Sequence, residues 1–163
     1  MKKIYLLAIL CIPAAPQYAR STAAPKIYDE TADASVQVAA AVRRASAGRK
    51  RVLLDFGANW CGDCQALDRL LRRPENQVLL RADYELVHVD IGRFDKNVAL
   101  AARLGVPIKK GVPALAVLDG RGEVVYAQKN GEFEAMRSLD PTAVSVFLRK
   151  WRTPKKDAAH AKN

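Results

Sequence analysis

At 163 residues, half of them hydrophobic, the chain has the length of one domain and enough apolar side chains for a core that needs neither crosslinks nor a metal. A formal charge of +10 would suit a nucleic-acid partner if it lay on the domain, but residues 1–23 carry +3 and residues 149–163 carry +5, leaving +2 for 24–148. So balanced a domain argues against nucleic-acid binding, and the end TPKKDAAHAKN, without apolar periodicity, reads as part of a solvated basic tail over 152–163.

The first residues, MKKIYLLAILCIPAAP, place Lys2 and Lys3 ahead of an apolar run from Ile4 to Ile12, and small residues at 21–23 stand at cleavage spacing. This predicts a secretory signal peptide over 1–23. Pro13 and Pro16 close the run short of the roughly 18–20 apolar residues that span a bilayer. A lipid-anchored form beginning at Cys11 is disfavoured by the bulky Leu10 before it. Once the signal is cleaved, Cys61 and Cys64 are the cysteines that remain, in an oxidising compartment, the periplasm.

A polar entry segment over 24–32 leads to Asp33, the expected N-cap of a helix through SVQVAAAVRRASAG that stops at Gly48. The apolar run 51–56 predicts a strand buried on both faces. A helix is expected from near Cys61 through Leu71, and Pro74 opens another. Residues 84–91 alternate as a second strand, and a helix from about Lys96 to Leu104 ends at Gly105. Segments 114–118 and 123–127, around AspGlyArgGly, predict an antiparallel hairpin. A last helix is expected from Asp140, with Pro141 in its first turn and Val144, Phe147, Leu148 and Trp151 on one side. Helix, strand, helix, strand, helix and then a hairpin make one α/β domain with a mixed sheet of about four strands.

The stretch LLDFGANWCGDCQAL carries the chemistry. Two cysteines three apart at a strand-to-helix junction can bring their sulfurs together. The free N–H groups and positive dipole end of the helix favour a thiolate at Cys61, which makes it the nucleophile, with Cys64 placed to resolve the mixed disulfide. A structural zinc site would need about four ligands, and the two histidines, His88 within a strand and His160 in the tail, supply no second CxxC-like pair. A static staple is the other competing reading. His88 itself reads as a packed or edge-facing strand residue, and Trp60 could serve only the core.

AspPheGlyAlaAsnTrpCysGlyAspCys at 55–64, followed by GlyValProAlaLeu at 111–115 opening a strand, resembles the thioredoxin superfamily over roughly residues 33–151. Within it, the chain is similar to exported bacterial thioredoxin-like proteins labelled disulfide reductases or isomerases. The resemblance implies a thioredoxin-like fold, a cis peptide before Pro113 set against the cysteine pair, and a substrate-binding rim of Trp60, Val112 and Pro113. Pro107, in the near-repeat GVPIKKGVP, competes for that place, but the strand follows Pro113 directly. The exposed backbone of Val112 would pair with an extended substrate segment.

Asp55 matches the buried acid that takes up the resolving thiol's proton, and its desolvation among Leu53, Leu54 and Phe56 would suit a base. The lysine many relatives place near this acid is missing, with Leu86 in its position. Gly62 and Asp63 occupy the redox-tuning positions. Asp63 is expected to disfavour the Cys61 thiolate by charge repulsion, whereas Lys109 and Lys110, if not simply solvated, would act oppositely.

The function implied is a thiol–disulfide oxidoreductase acting in the reducing or isomerising direction, without a dissociable cofactor or metal. Its partners would be disulfide-containing envelope proteins and, for a reductant, a membrane electron donor. Nothing marks a dimerisation domain, so a monomer is expected. A thiol-based copper carrier and a binding module with an inert disulfide are the alternatives from other classes.

Overall fold

A computed structural model describes residues 26–154. The expected signal peptide, Cys11, and the tail beyond residue 154 with His160 lie outside the described residues. Five helices and four strands appear among those described: α1 (Ala34–Gly48), β1 (Arg51–Gly57), α2 (Gly62–Leu71), α3 (Pro74–Asp83), β2 (Tyr84–Asp90), α4 (Val98–Arg103), β3 (Ala114–Leu118), β4 (Val124–Ala127) and α5 (Ala143–Trp151). Two short 3-10 turns, Ile108–Lys110 and Met136–Ser138, interrupt the loops.

The strand order is β2-β1-β3-β4, with β1 parallel to β2 and the other pairs antiparallel, so the fold is a thioredoxin-like mixed sheet flanked by helices. β1 runs through the middle, and its apolar run follows from that position: both faces are covered. Val52, Leu54 and Phe56 pack in the cluster with α1 and α4, while Leu53 joins the cluster of α2, α3 and α5. Because side chains alternate along a strand, Asp55 shares the parity of Leu53 and belongs to the face that α2 covers.

Local chemistry sets the helix boundaries. Asp33 caps α1, its Oδ1 accepting from the N–H groups of Ser35 and Val36. Pro74 starts α3, where a missing N–H costs nothing. The last helix departs from expectation. Asp140 accepts from the N–H and hydroxyl of Thr142, closing a turn ahead of the helix, so α5 starts at Ala143 and Pro141 stays outside it. Two bonds fasten α5 to the sheet: the Tyr84 hydroxyl donates to Leu148 O (2.7 Å) and Arg51 Nη1 to Trp151 O (2.7 Å).

Leu67 is fully buried where α2 meets the sheet. Leu67→Ala should lower the unfolding free energy by about 2–5 kcal/mol, read as a fall in the urea midpoint at unchanged slope.

Candidate redox site

The strand-to-helix junction brings the two cysteines together as a disulfide with a Cα–Cα separation of 5.2 Å. Cys61 is the N-cap of α2, and its Sγ accepts from the N–H of Cys64 (3.1 Å). In the reduced state that donor and the helix's other free N–H groups favour negative charge on Cys61. The two sulfurs differ in access: Cys61 keeps a 6% exposed edge, while Cys64 is at 0%. The outer sulfur is thus the one another protein can reach.

The peptide between Val112 and Pro113 is cis, and the Val112 carbonyl oxygen lies 3.5 Å from Cys61 Sγ. Pro107 instead precedes the 3-10 turn Ile108–Lys110, one turn back along the loop. Trp60 is 44% exposed beside the pair. Its Nε1–H donates to Gly92 O (2.7 Å), its ring rests against Phe94, and the Arg93 guanidinium lies 5.3 Å from the ring centre. The loop after β2 therefore holds this aromatic in place, so Trp60 is part of the exposed rim and not a core residue.

Asp63 does not act as the lone anion expected from the sequence. Its carboxylate accepts from Arg137 Nε (3.1 Å), Nη2 (3.0 Å) and backbone N–H (2.9 Å). These bonds hold the Asp63 carboxyl below the usual carboxylate range, so it is ionised but paired. The same guanidinium packs against Gly62, whose Cβ, if present, would stand 3.6 Å from the Arg137 carbon. Repulsion of a Cys61 thiolate by Asp63 is therefore offset by a cation at the same turn.

Behind Cys64, Asp55 is completely buried. Its Oδ2 accepts from the Tyr28 hydroxyl (2.8 Å) and meets His88 Nδ1 (2.9 Å), while Oδ1 has no partner among the described residues. Strand register makes the histidine contact: Asp55 stands directly opposite His88, whereas Leu86 stands opposite Leu53. Leu86 thus lies one pair along on the same face, and the side chain of β2 that meets the acid is His88. Burial works against charge on the His88 ring, but the hydrogen bond and charge of Asp55 outweigh it and raise the imidazole above its ordinary value. Burial first, and then the Asp55 charge, push the Tyr28 hydroxyl well above the usual phenol range.

Tyr28 comes from the entry segment, which was expected to be no more than a polar lead-in. Asn59 fastens it: Oδ1 accepts from the N–H groups of Ile27 and Tyr28, and Nδ2 donates to Tyr28 O. Gly57 makes room for the ring. A Cβ there would lie 2.8 Å from Cys64 Sγ and closer still to the Tyr28 hydroxyl. Sequence reading missed Tyr28, Asn59, His88 and Arg137 as site residues. An available signal was the i, i+2 pattern of β2, which allows His88 as well as Leu86 to face the acid.

The protonation of His88 couples to folding. Since its folded pKa is raised, the stability it contributes is fully present below about pH 6.5 and fades as pH rises through the folded value. The stability difference between the wild type and His88→Gln, followed by urea unfolding across pH, should shrink over that rise. For the Asp63 pair, Arg137→Gln should move the alkylation profile of Cys61 to higher pH and Asp63→Asn to lower pH, measured with iodoacetamide on the reduced protein.

The family described as Thioredoxin-like matches residues 33–120. Among solved structures, a disulphide isomerase from Xylella fastidiosa Temecula1 is 41% identical with a TM-score of 0.75, over 78% of this chain and 98% of that one. A mutant thioredoxin from Halobacterium salinarum NRC-1 is 26% identical over 68% and 82% of the two chains, with a TM-score of 0.45. A thioredoxin from Thermus thermophilus is 23% identical over 69% and 81%, with a TM-score of 0.49. No curated protein matches the sequence. The family match over more than half of the length, and a 41% identical relative covered almost end to end, show that the chain belongs to the thioredoxin-like family, with Cys61 and Cys64 as its thiol–disulfide oxidoreductase centre.

Proposed function

We propose that the protein reduces or reshuffles disulfides of other proteins in the bacterial envelope. The observation that carries this reading is the asymmetry of the pair: Cys61, at the helix N-cap with a donor on its sulfur, has the exposed edge, and Cys64 is sealed behind it. That division suits attack by Cys61 on a client disulfide, followed by release through Cys64. The cis Pro113 loop and the rim at Trp60 supply backbone and apolar contact for an extended client segment.

The direction draws support from the 41% identical relative, which bears the description disulphide isomerase. Asp63 weighs less on the direction than its charge alone would suggest, since Arg137 neutralises it. Export follows from the leader pattern MKKIYLLAILC, and a membrane electron donor would recharge the pair if reduction is the cellular task. Clients are disulfide-containing envelope proteins, and the protein works as a monomer.

Expressed with its leader in a bacterial host, Cys64→Ala should accumulate mixed disulfides through Cys61 that dithiothreitol releases, and Cys61→Ser should accumulate none. Non-reducing electrophoresis reads both. Equal absence of captured partners from the two variants would overturn the reading. Reactivation of an enzyme with scrambled disulfides, compared with reduction of insulin, separates isomerising from reducing action.

A further inference from the structure

Thiol–disulfide exchange leaves one bookkeeping question at this site. When Cys64 attacks, its thiol proton must leave a sulfur that has no exposed surface. Asp55 is the buried base on that side: its Oδ1 has no partner among the described residues, while its Oδ2 accepts from the Tyr28 hydroxyl, the polar group of this cluster that stands beside Cys64. That hydroxyl and Cys64 Sγ both lie within 2.8 Å of one point, the position a Gly57 Cβ would take. A direct S–H···O contact or a single water spans such a gap. We infer that the Tyr28 hydroxyl carries the proton between Cys64 and Asp55, and that His88 is the outlet through which it reaches solvent.

The outlet follows from the second contact of Asp55. His88 Nδ1 is 2.9 Å from the same Oδ2, and the ring is 21% exposed where it lines a surface groove with Ile27, Asp29, Gln37 and Arg44. Tyr28 and His88 also meet edge to face, with ring centres 5.5 Å apart. The groups that bear on this pair come from every element around it: Asp55 from β1, Asp68 from α2 and Arg72 at its C-cap, Asp29 from the entry segment, Arg44 from α1, and Asp90 at the end of β2. Asp68 is tied to Arg72 (2.8 Å), so Asp55 is the carboxylate in direct contact with both rings.

The step rests on the proposed exchange reaction and balances within it. Cys61 as thiolate has attacked the client disulfide and is joined to one client sulfur, the other having left with an electron pair. Cys64 S–H then breaks: its proton passes to the Tyr28 oxygen while the Tyr28 proton passes to Asp55 Oδ2. The Cys64 electron pair forms the bond to Cys61, the Cys61–client bond breaks, and the client sulfur leaves with that pair and takes a proton from water. The client gains two electrons and the Cys61–Cys64 pair loses two. The Asp55–His88 pair holds the relayed proton until one leaves to water from the imidazole. Tyr28 is thus a proton-carrying residue next to a reacting atom, and His88 acts through Asp55 as a positioning residue.

The reduced full chain carrying Cys11→Ser, so that its thiols are Cys61 and Cys64, mixed with excess 5,5′-dithiobis(2-nitrobenzoate) in a stopped-flow instrument reports the two half-steps separately. The first thionitrobenzoate is released by attack of Cys61 and the second by attack of Cys64. In Tyr28→Phe the second phase should slow at least about tenfold relative to the first at pH 7, in keeping with loss of an acid–base group. In the wild type the second phase should be slower in D2O than in H2O by a larger factor than in the variant. His88→Gln, which can still donate to Asp55 but does not titrate, should lose the rise in second-phase rate that the wild type shows as pH climbs through the raised folded pKa of His88, above the ordinary imidazole value. An unchanged ratio of phases in Tyr28→Phe, or equal isotope effects in the two proteins, overturns the relay while the exchange reading stands. If the wild type releases no first equivalent, the exchange reading itself falls, and the relay with it. The isotope comparison within the wild type keeps the test decisive should Tyr28→Phe fold poorly: a second phase no more slowed by D2O than the first overturns the relay.

Discussion

A carboxylate with no exposed surface, Asp55, is the constraint around which the site is assembled. A buried charge is tolerated only where hydrogen bonds and a partner replace the water it has lost. Here the replacements are Tyr28 and His88, both on one oxygen, and each comes from a different part of the chain. Satisfying that one group therefore ties the entry segment to β1 and holds β2 in register beside it. The clasp made by Asn59, just two residues past β1, serves the same end by fixing the backbone from which Tyr28 projects. Removing one partner would leave the other donor and the acid mismatched in a dry site, which is why such networks act as units.

The electrostatics of the sulfur pair are arranged in two layers. In front, the free N–H groups of α2 and the Asp63–Arg137 pair surround Cys61, the helix favouring its charge and the ion pair nearly cancelling itself. Behind, the Tyr28–Asp55–His88 cluster stands near Cys64 and is screened from bulk water except at the exposed edge of His88. Charge on the outer sulfur is thus governed by a surface turn, and proton traffic at the inner sulfur by a buried network. The two can be altered independently, because Arg137 and Asp63 touch none of the groups behind the disulfide in the contacts described.

Much of the fold was legible because its signals are local. The continuous apolar run of β1 reflects a strand covered on both faces, and Asp33, Pro74 and the AspGlyArgGly turn mark boundaries through their own side chains and backbone. The boundary of α5 was misread for a local reason as well: Asp140 can cap a helix or close a turn before one, and the hydroxyl of Thr142 tips it to the turn. The 3-10 turn at Met136–Ser138 had no periodic signal, yet it delivers Arg137 to the start of α2.

What the sequence determined by itself is the reactive pair: two cysteines across a strand–helix junction have their spacing, helix-end placement and difference in access written into ten consecutive residues. Which side chains surround that pair was decided only by tertiary structure. Tyr28, His88 and Arg137 lie 36, 24 and 73 positions from Cys64, and of the three His88 alone carries a local signal, the alternation of its strand, which does not distinguish it from Leu86. Their meeting depends on strand register and chain reversal, where a shift of one residue would turn His88 to the other face of the sheet.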